Sequence, residues 1–269
     1  MPPVVRRTAL GHTPPVGRRL VGTLLRTLST VLGLALAVVL VWLRPFSADA
    51  DALEALDRLQ QPGSGVEVVT TATYLELRPT GETSGVGLVF QPGARVDHRA
   101  YVRLLAPYAE AGHVVVVLAQ PYGIAFTAAG AAADVVAARP QVRSWVLAGH
   151  SLGGVVAAGE AVDLDGAGVD GLLLWGSYPL ADLSGADLDV VSVSGSQDGL
   201  STPSDIDASR ADLPPTTVFV EVRGATHAFF GDYGPQPGDG LATVDRDVAQ
   251  AEIVRAGLDQ AGRLGRPLG

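Results

Sequence analysis

The sequence predicts an α/β protein: a doubly wound, mostly parallel sheet flanked by helices, without a large lid, and preceded by one N-terminal transmembrane helix. Three observations predict it. From Val66 onward, apolar β-branched runs alternate with helical patterns, as strand–helix–strand crossovers do. Runs such as "HVVVVLA" and "GLLLWGS" are apolar without alternation, as strands are when helices cover both faces of a parallel sheet. Residues 27–43, "TLSTVLGLALAVVLVWL", are 17 residues without a charge.

As a helix, that run would span roughly 25 Å, at the short end of what crosses a bilayer core. Arg6, Arg7, Arg18, Arg19 and Arg26 precede it, Arg44 follows it, and residues 1–44 contain no acid. The positive-inside bias assigns the basic arm, 1–26, to the cytoplasm and everything after Arg44 to the outside. Residues 27–43 would then be a membrane anchor. The alternative is a signal sequence cleaved near Ala48-x-Ala50 in "FSADAD", which would release a secreted chain. Residues 44–65 read as a short amphipathic helix and a Gly/Pro linker, and 66–269 as the main domain.

Within that domain, strands are expected over 66–78, 85–90, 114–119, 144–149, 171–175, 189–195 and 217–222. Helices are expected over 98–111, about 127–138, 152–163, about 203–211 and 241–262. Composition narrows the chemistry. The chain has no cysteine, which excludes disulfides and thiolate nucleophiles. Beyond residue 44 it keeps 13 of its 19 basic residues against all 28 acidic ones, a net of −15 that would repel nucleic-acid phosphates. Residues 166–171, "GAGVDG", match a dinucleotide-binding spacing. They precede a strand instead of following one, so they read as a turn. No histidine–carboxylate cluster has metal-ligand spacing, and no cofactor is expected.

In an open parallel sheet, ligands bind beyond the carboxyl ends of the strands, so the loops there carry the candidates. "SWVLAGHSLGGVVAAG" runs from strand through Gly149-His150-Ser151-Leu152-Gly153 into a helix. This is a nucleophile elbow in the context it requires, with a serine projected from a sharp turn between two glycines. A serine hydroxyl needs a base to take its proton and an acid to orient that base. Asp198 follows one later strand, 47 residues on, and His227 follows the next, after a further 29. His12, His98, His113 and His150 fit the role of base poorly, and Asp232 is a fallback for the acid. Two amides should form an oxyanion hole: that of Leu152, and that of Gly93 or Ala94, since Pro92 has none. Tyr122, Trp175, Tyr178, Phe229, Phe230 and Tyr233 are candidate pocket walls, with core packing as their alternative. Only 13 residues separate Trp175 from Asp189, too few for a lid domain.

On these residues the chain resembles the α/β-hydrolase superfamily over about 66–262. It is most similar to the compact bacterial group called α/β hydrolase fold-5, related to dienelactone-hydrolase-like carboxylesterases. The segments that carry the likeness are "FQPGARVDHRAYVRLLAPYAEAGHVVVV", "GHSLGG", "LLLWGSYPLADL", "VSGSQDGL" and "THAFFGDYGPQPGDG". Pro-Gly-Ala at 92–94 departs from the expected Pro-Gly-Gly. The resemblance implies a serine hydrolase acting on a small-molecule ester, with Ser151, Asp198 and His227 as its triad. The same triad would serve a serine peptidase or an acyltransferase, and a tethered binding domain without catalysis is the reading from another class.

Overall fold

The computed structural model describes Leu25 and residues 27–37, 44–164 and 166–266. The chain divides into two units, Met1–Arg44 and Pro45–Gly269. In the first, Leu25 and 27–37 are helical, with Leu28, Val31, Leu32, Leu34 and Leu36 exposed. The rest of the expected 27–43 span lies outside the described residues. Among the described residues no helix is long and apolar enough to cross a membrane.

In the second unit, eight strands form one sheet: β1 (Val66–Thr70), β2 (Tyr74–Pro79), β3 (Val86–Gln91), β4 (Val114–Leu118), β5 (Ser144–His150), β6 (Val169–Trp175), β7 (Asp189–Gly195) and β8 (Val218–Val222). Their order is β1-β2-β4-β3-β5-β6-β7-β8. The β1–β2 and β2–β4 pairs are antiparallel and every other pair is parallel. The carboxyl ends of β3 to β8 therefore lie along one rim. The helices are α1 (Ala50–Leu59), α2 (Val102–Glu110), α3 (Ala131–Ala137), α4 (Leu152–Asp163), α5 (Pro203–Ala208) and α6 (Arg246–Leu264).

Each face of the sheet is buried by its own helices. Leu59, Leu105, Tyr108 and Ile253, from α1, α2 and α6, pack with Leu77, Val115, Val146 and Leu173. Ala132, Val135, Ala157 and Ala161, from α3 and α4, pack with Val116, Leu147, Leu172 and Leu174. Residues on both sides of single strands are thus apolar, which is why those strands read as continuous runs. A buried carboxylate, Glu76 on β2, is paired with Arg139 at 2.7 Å, so neither charge is stranded in the core.

Several boundaries differ from expectation, each for a local reason. The run 66–78 is a hairpin, not one strand. The Thr71 hydroxyl accepts from the amides of Thr73 (3.2 Å) and Tyr74 (3.0 Å), making a turn with neither glycine nor proline to announce it. The last helix begins at Arg246, where the Asp245 carboxylate accepts from the amides of Asp247 and Val248. Helix α5 stops at Ala208 and continues only as a 3₁₀ turn, Ser209–Asp212. The expected helix over 127–138 shortens to α3, preceded by Gly130 at φ 87°. Residues 45–49 are tied to the sheet-bearing unit by hydrogen bonds and an ion pair. Asp97 donates its amide to Phe46 O at 2.9 Å, Asp49 donates its own to Asp232 O at 2.8 Å, and Arg246 pairs with Asp49 at 2.8 Å.

Candidate active site

The rim is built around the end of β5. Its last residue, His150, is followed at once by Ser151 (φ 51°, ψ −125°) and then by α4. Such a backbone costs of order 1–3 kcal/mol for a residue with a side chain, and the surroundings hold it in place. The Ser151 amide donates to Trp175 O at 3.0 Å, and the Ser177 hydroxyl donates to Ser151 O at 2.7 Å. Strand and helix meet so closely that a Cβ on Gly149 would lie 2.4 Å from the Gly153 carbonyl carbon. One on Gly153 would lie 2.1 Å from the Gln91 carbonyl oxygen. The second contact places the loop after β3 directly against the elbow.

Asp198 follows β7 and is buried. Its Oδ1 accepts from the amides of Leu200 (2.8 Å) and Ser201 (2.7 Å), which leaves Oδ2 for His227 Nδ1 at 2.8 Å. An ionised carboxylate can only accept, so this bond keeps the imidazole hydrogen on Nδ1. His227 is wholly buried, and its Nε2, left with a lone pair, takes no hydrogen-bond partner among the described residues. Asp232, the fallback acid, is committed elsewhere: it forms an ion pair with Arg103 at 2.8 Å and accepts from Gln250 Nε2 at 3.0 Å.

Of the two candidate amides after β3, Gly93 donates to the Tyr101 hydroxyl at 2.9 Å. Ala94 N–H has no acceptor among the described residues. Leu152 sits at the first position of α4, where a helix leaves its amides without internal partners. Tyr101 was not among the residues singled out by sequence, and nothing in its local pattern marks it.

His150 lies closer to this constellation than its position beside the serine suggests. It is buried, and its ring centroid is 4.5 Å from that of His227 and 5.7 Å from that of Phe230. Burial first, and the neighbouring His227 second, hold its pKa well below the usual histidine value. Burial also pushes the Tyr101 phenol far up, so it stays protonated. Tyr101 therefore accepts the Gly93 amide and gives its own hydrogen to His150 Nδ1, 2.9 Å away. His113, by contrast, bonds to Ser84 at 2.7 Å, outside the site.

The aromatic candidates divide. Trp175 and Phe230 are fully buried in the core, Trp175 packing 5.0 Å from Phe90. Tyr233 is also buried, bonded to Gln236 at 3.0 Å and packed on Phe46. Tyr178 and Phe229 are half-buried and Tyr122 is exposed, so these three remain reachable from solvent. No helix or strand is inserted between β6 and β7. Among the described residues, no three His, Cys, Asp or Glu side chains are grouped to hold a metal ion.

The sequence profile of the Alpha/beta hydrolase family matches residues 87–251, more than half of the chain. The chain belongs to the α/β-hydrolase family. No curated protein matches it. Among solved structures, it is similar to Thermogutta terrifontis esterase 2 phosphorylated by paraoxon, at 15% identity and a TM-score of 0.51, over 76% of this chain and 96% of that one. The butyrate-bound form of that esterase matches at 15% identity and a TM-score of 0.52, covering 76% of this chain and 97% of the other. A protein of unknown function from Agrobacterium tumefaciens matches at 15% identity and a TM-score of 0.53, over 74% and 96%. At that identity the likeness speaks for the α/β-hydrolase fold alone.

The state of His150 sets a pH dependence of stability. A histidine whose pKa is lowered by folding contributes stability that is present above its unfolded value, about 6.5, and is lost as the pH falls below it. The hydrolase is therefore expected to weaken between pH 7 and 5, in urea unfolding followed by circular dichroism. His150→Gln is expected to lose some stability at pH 7 but to show a shallower decline. Parallel declines in the two proteins would contradict this role for His150.

Proposed function

We propose that the chain is a serine hydrolase that cleaves carboxylic esters through an acyl-enzyme intermediate. The observation that carries this reading is the buried Asp198–His227 pair, at 2.8 Å, with Nε2 left unpartnered, on loops at the same rim of the sheet as the elbow serine. Ser151 Oγ would give its proton to His227 Nε2 as it attacks the ester carbonyl carbon. The negative charge that develops on the carbonyl oxygen would be met by the amides of Leu152 and Ala94, Gly93 being engaged with Tyr101. Collapse would break the bond to the alkoxy oxygen, and the leaving alcohol would take the proton from Nε2. A water, deprotonated in turn by Nε2, would add to the acyl carbon and release the acid, returning the proton to Oγ. Asp198 would keep Nδ1–H in place throughout and balance the imidazolium.

The absence of any element inserted between β6 and β7 supports small or short-chain esters over long ones. Replacing Ser151 by Ala is expected to leave the fold intact and to lower p-nitrophenyl ester hydrolysis by several orders of magnitude, as losses of triad nucleophiles do. A variant that keeps even a tenth of the parent rate would refute the assignment.

The N-terminal segment we assign to a membrane, with the hydrolase domain on the extracytoplasmic side. Its support is the charge asymmetry, with five arginines before the apolar run and no acid before residue 45. Expressed in full in a bacterial host, the chain is expected to stay with membranes through alkaline carbonate washing. Recovery of a soluble chain that starts near residue 51 would instead show a cleaved signal sequence.

A further inference from the structure

The most heavily used carboxylate near the rim belongs to neither the triad nor the ion pairs. Asp239 lies in the turn that follows the histidine loop. Its Oδ1 accepts from the amides of Gly199 (3.2 Å), His227 (3.0 Å) and Gly240 (2.8 Å), and its Oδ2 from the amide of Ala228 (2.8 Å). Gly199 is the residue after Asp198, on the loop that leaves β7. His227 and Ala228 are on the loop that leaves β8. One side chain thus ties the backbone beside the acid to the backbone of the base.

Two close approaches make the tie unavoidable. A Cβ on Gly199 would lie 2.6 Å from Gly238 O, and one on Gly240 would lie 1.9 Å from Gln197 O. The 238–240 turn is therefore wedged against the loop that carries Asp198. The elements joined by this carboxylate are far apart in sequence: Asp239 lies 40 positions after Gly199 and 12 after His227.

We infer that Asp239 is a positioning residue, whose carboxylate sets the distance between Asp198 and His227 by holding the backbone of both loops. The inference rests on the triad reading above. The His227–Asp198 bond is a single contact between two loops that leave separate strands, and one hydrogen bond does not fix both a distance and a ring orientation. An ionised carboxylate with four amide donors does, because charge-assisted bonds are roughly twice as strong as neutral ones. Catalytic geometry tolerates only about 0.5 Å and 10–20° of error. Without the carboxylate, water would satisfy the amides of Gly199 and Gly240, which are exposed, while those of the buried His227 and Ala228 would lose an acceptor, so some stability is lost and the two loops drift.

The test uses the full chain and three variants, Asp239→Ala, Asp239→Asn and Ser151→Ala. Asp239→Ala is expected to keep its melting temperature to within a few degrees and to change KM little, while kcat falls by about 100-fold, the loss typical of a small misplacement. Asp239→Asn keeps a carbonyl acceptor and is expected to fall between the parent and Asp239→Ala. Proton NMR gives a readout independent of turnover. The downfield resonance of the His227 Nδ1 proton should be present in the parent and in Ser151→Ala, and broadened or lost in Asp239→Ala. A folded Asp239→Ala with parental kcat and an unchanged resonance overturns the inference. If Asp239→Ala does not fold, Asp239→Asn decides: parental kcat with an unchanged resonance overturns it, and a partial loss of both upholds it. Activity surviving in Ser151→Ala overturns the triad and the brace together. An inert Ser151→Ala beside a fully active Asp239→Ala overturns the brace alone.

Discussion

The site depends on how closely two pieces of backbone can approach at the end of β5. The strand passes into α4 through one residue, and the helix returns so near that position 153 has no room for a side chain against the Gln91 carbonyl. That contact has two consequences. It leaves Ser151, between strand and helix, with a positive φ of 51°. It also seats the loop after β3 beside the N-terminus of α4. β5 is held between β3 and β6 by parallel ladders along its length, and this rigidity offsets the strain at the turn.

Electrostatics at the rim follow from burial. Asp198 is buried but not isolated, since two amides and an imidazole N–H share its oxygens. Directly against the His227 ring lies a second imidazole, that of His150. Were His150 to charge, it would oppose a positive charge on its neighbour. Burial keeps it neutral, and the Tyr101 hydroxyl supplies the one hydrogen its Nδ1 accepts. The same hydroxyl occupies the Gly93 amide, so a single buried tyrosine links the loop after β3 to the residue preceding the serine.

Much of this was legible in the sequence. Continuous apolar runs marked the parallel strands because helices cover both faces of each. The elbow glycines marked β5 and α4, because only glycine allows that approach. Asp198 and His227 stood out by their places after β7 and β8, and they are hydrogen-bonded to each other. Other features left no local trace. The β1–β2 hairpin turns on a threonine hydroxyl, so no glycine or proline announces it. Trp175 was a candidate for the pocket from its place at the end of β6, but its ring turns inward to Phe90. The contacts of Tyr101 and Asp239 join residues distant in sequence, which no periodicity encodes. Asp232 and Asp239 are both acids near the histidine, and only their partners separate them: Asp232 neutralises Arg103, whereas Asp239 collects amides.

The most direct test of the central claim, that Ser151 is a nucleophile served by His227, is reaction with a fluorophosphonate followed by mass mapping of the adduct. The account requires a single adduct on Ser151, formed with the native protein, abolished by heat denaturation and slowed strongly in His227→Ala. An adduct on another serine, or none under conditions that label a known serine hydrolase, would contradict it.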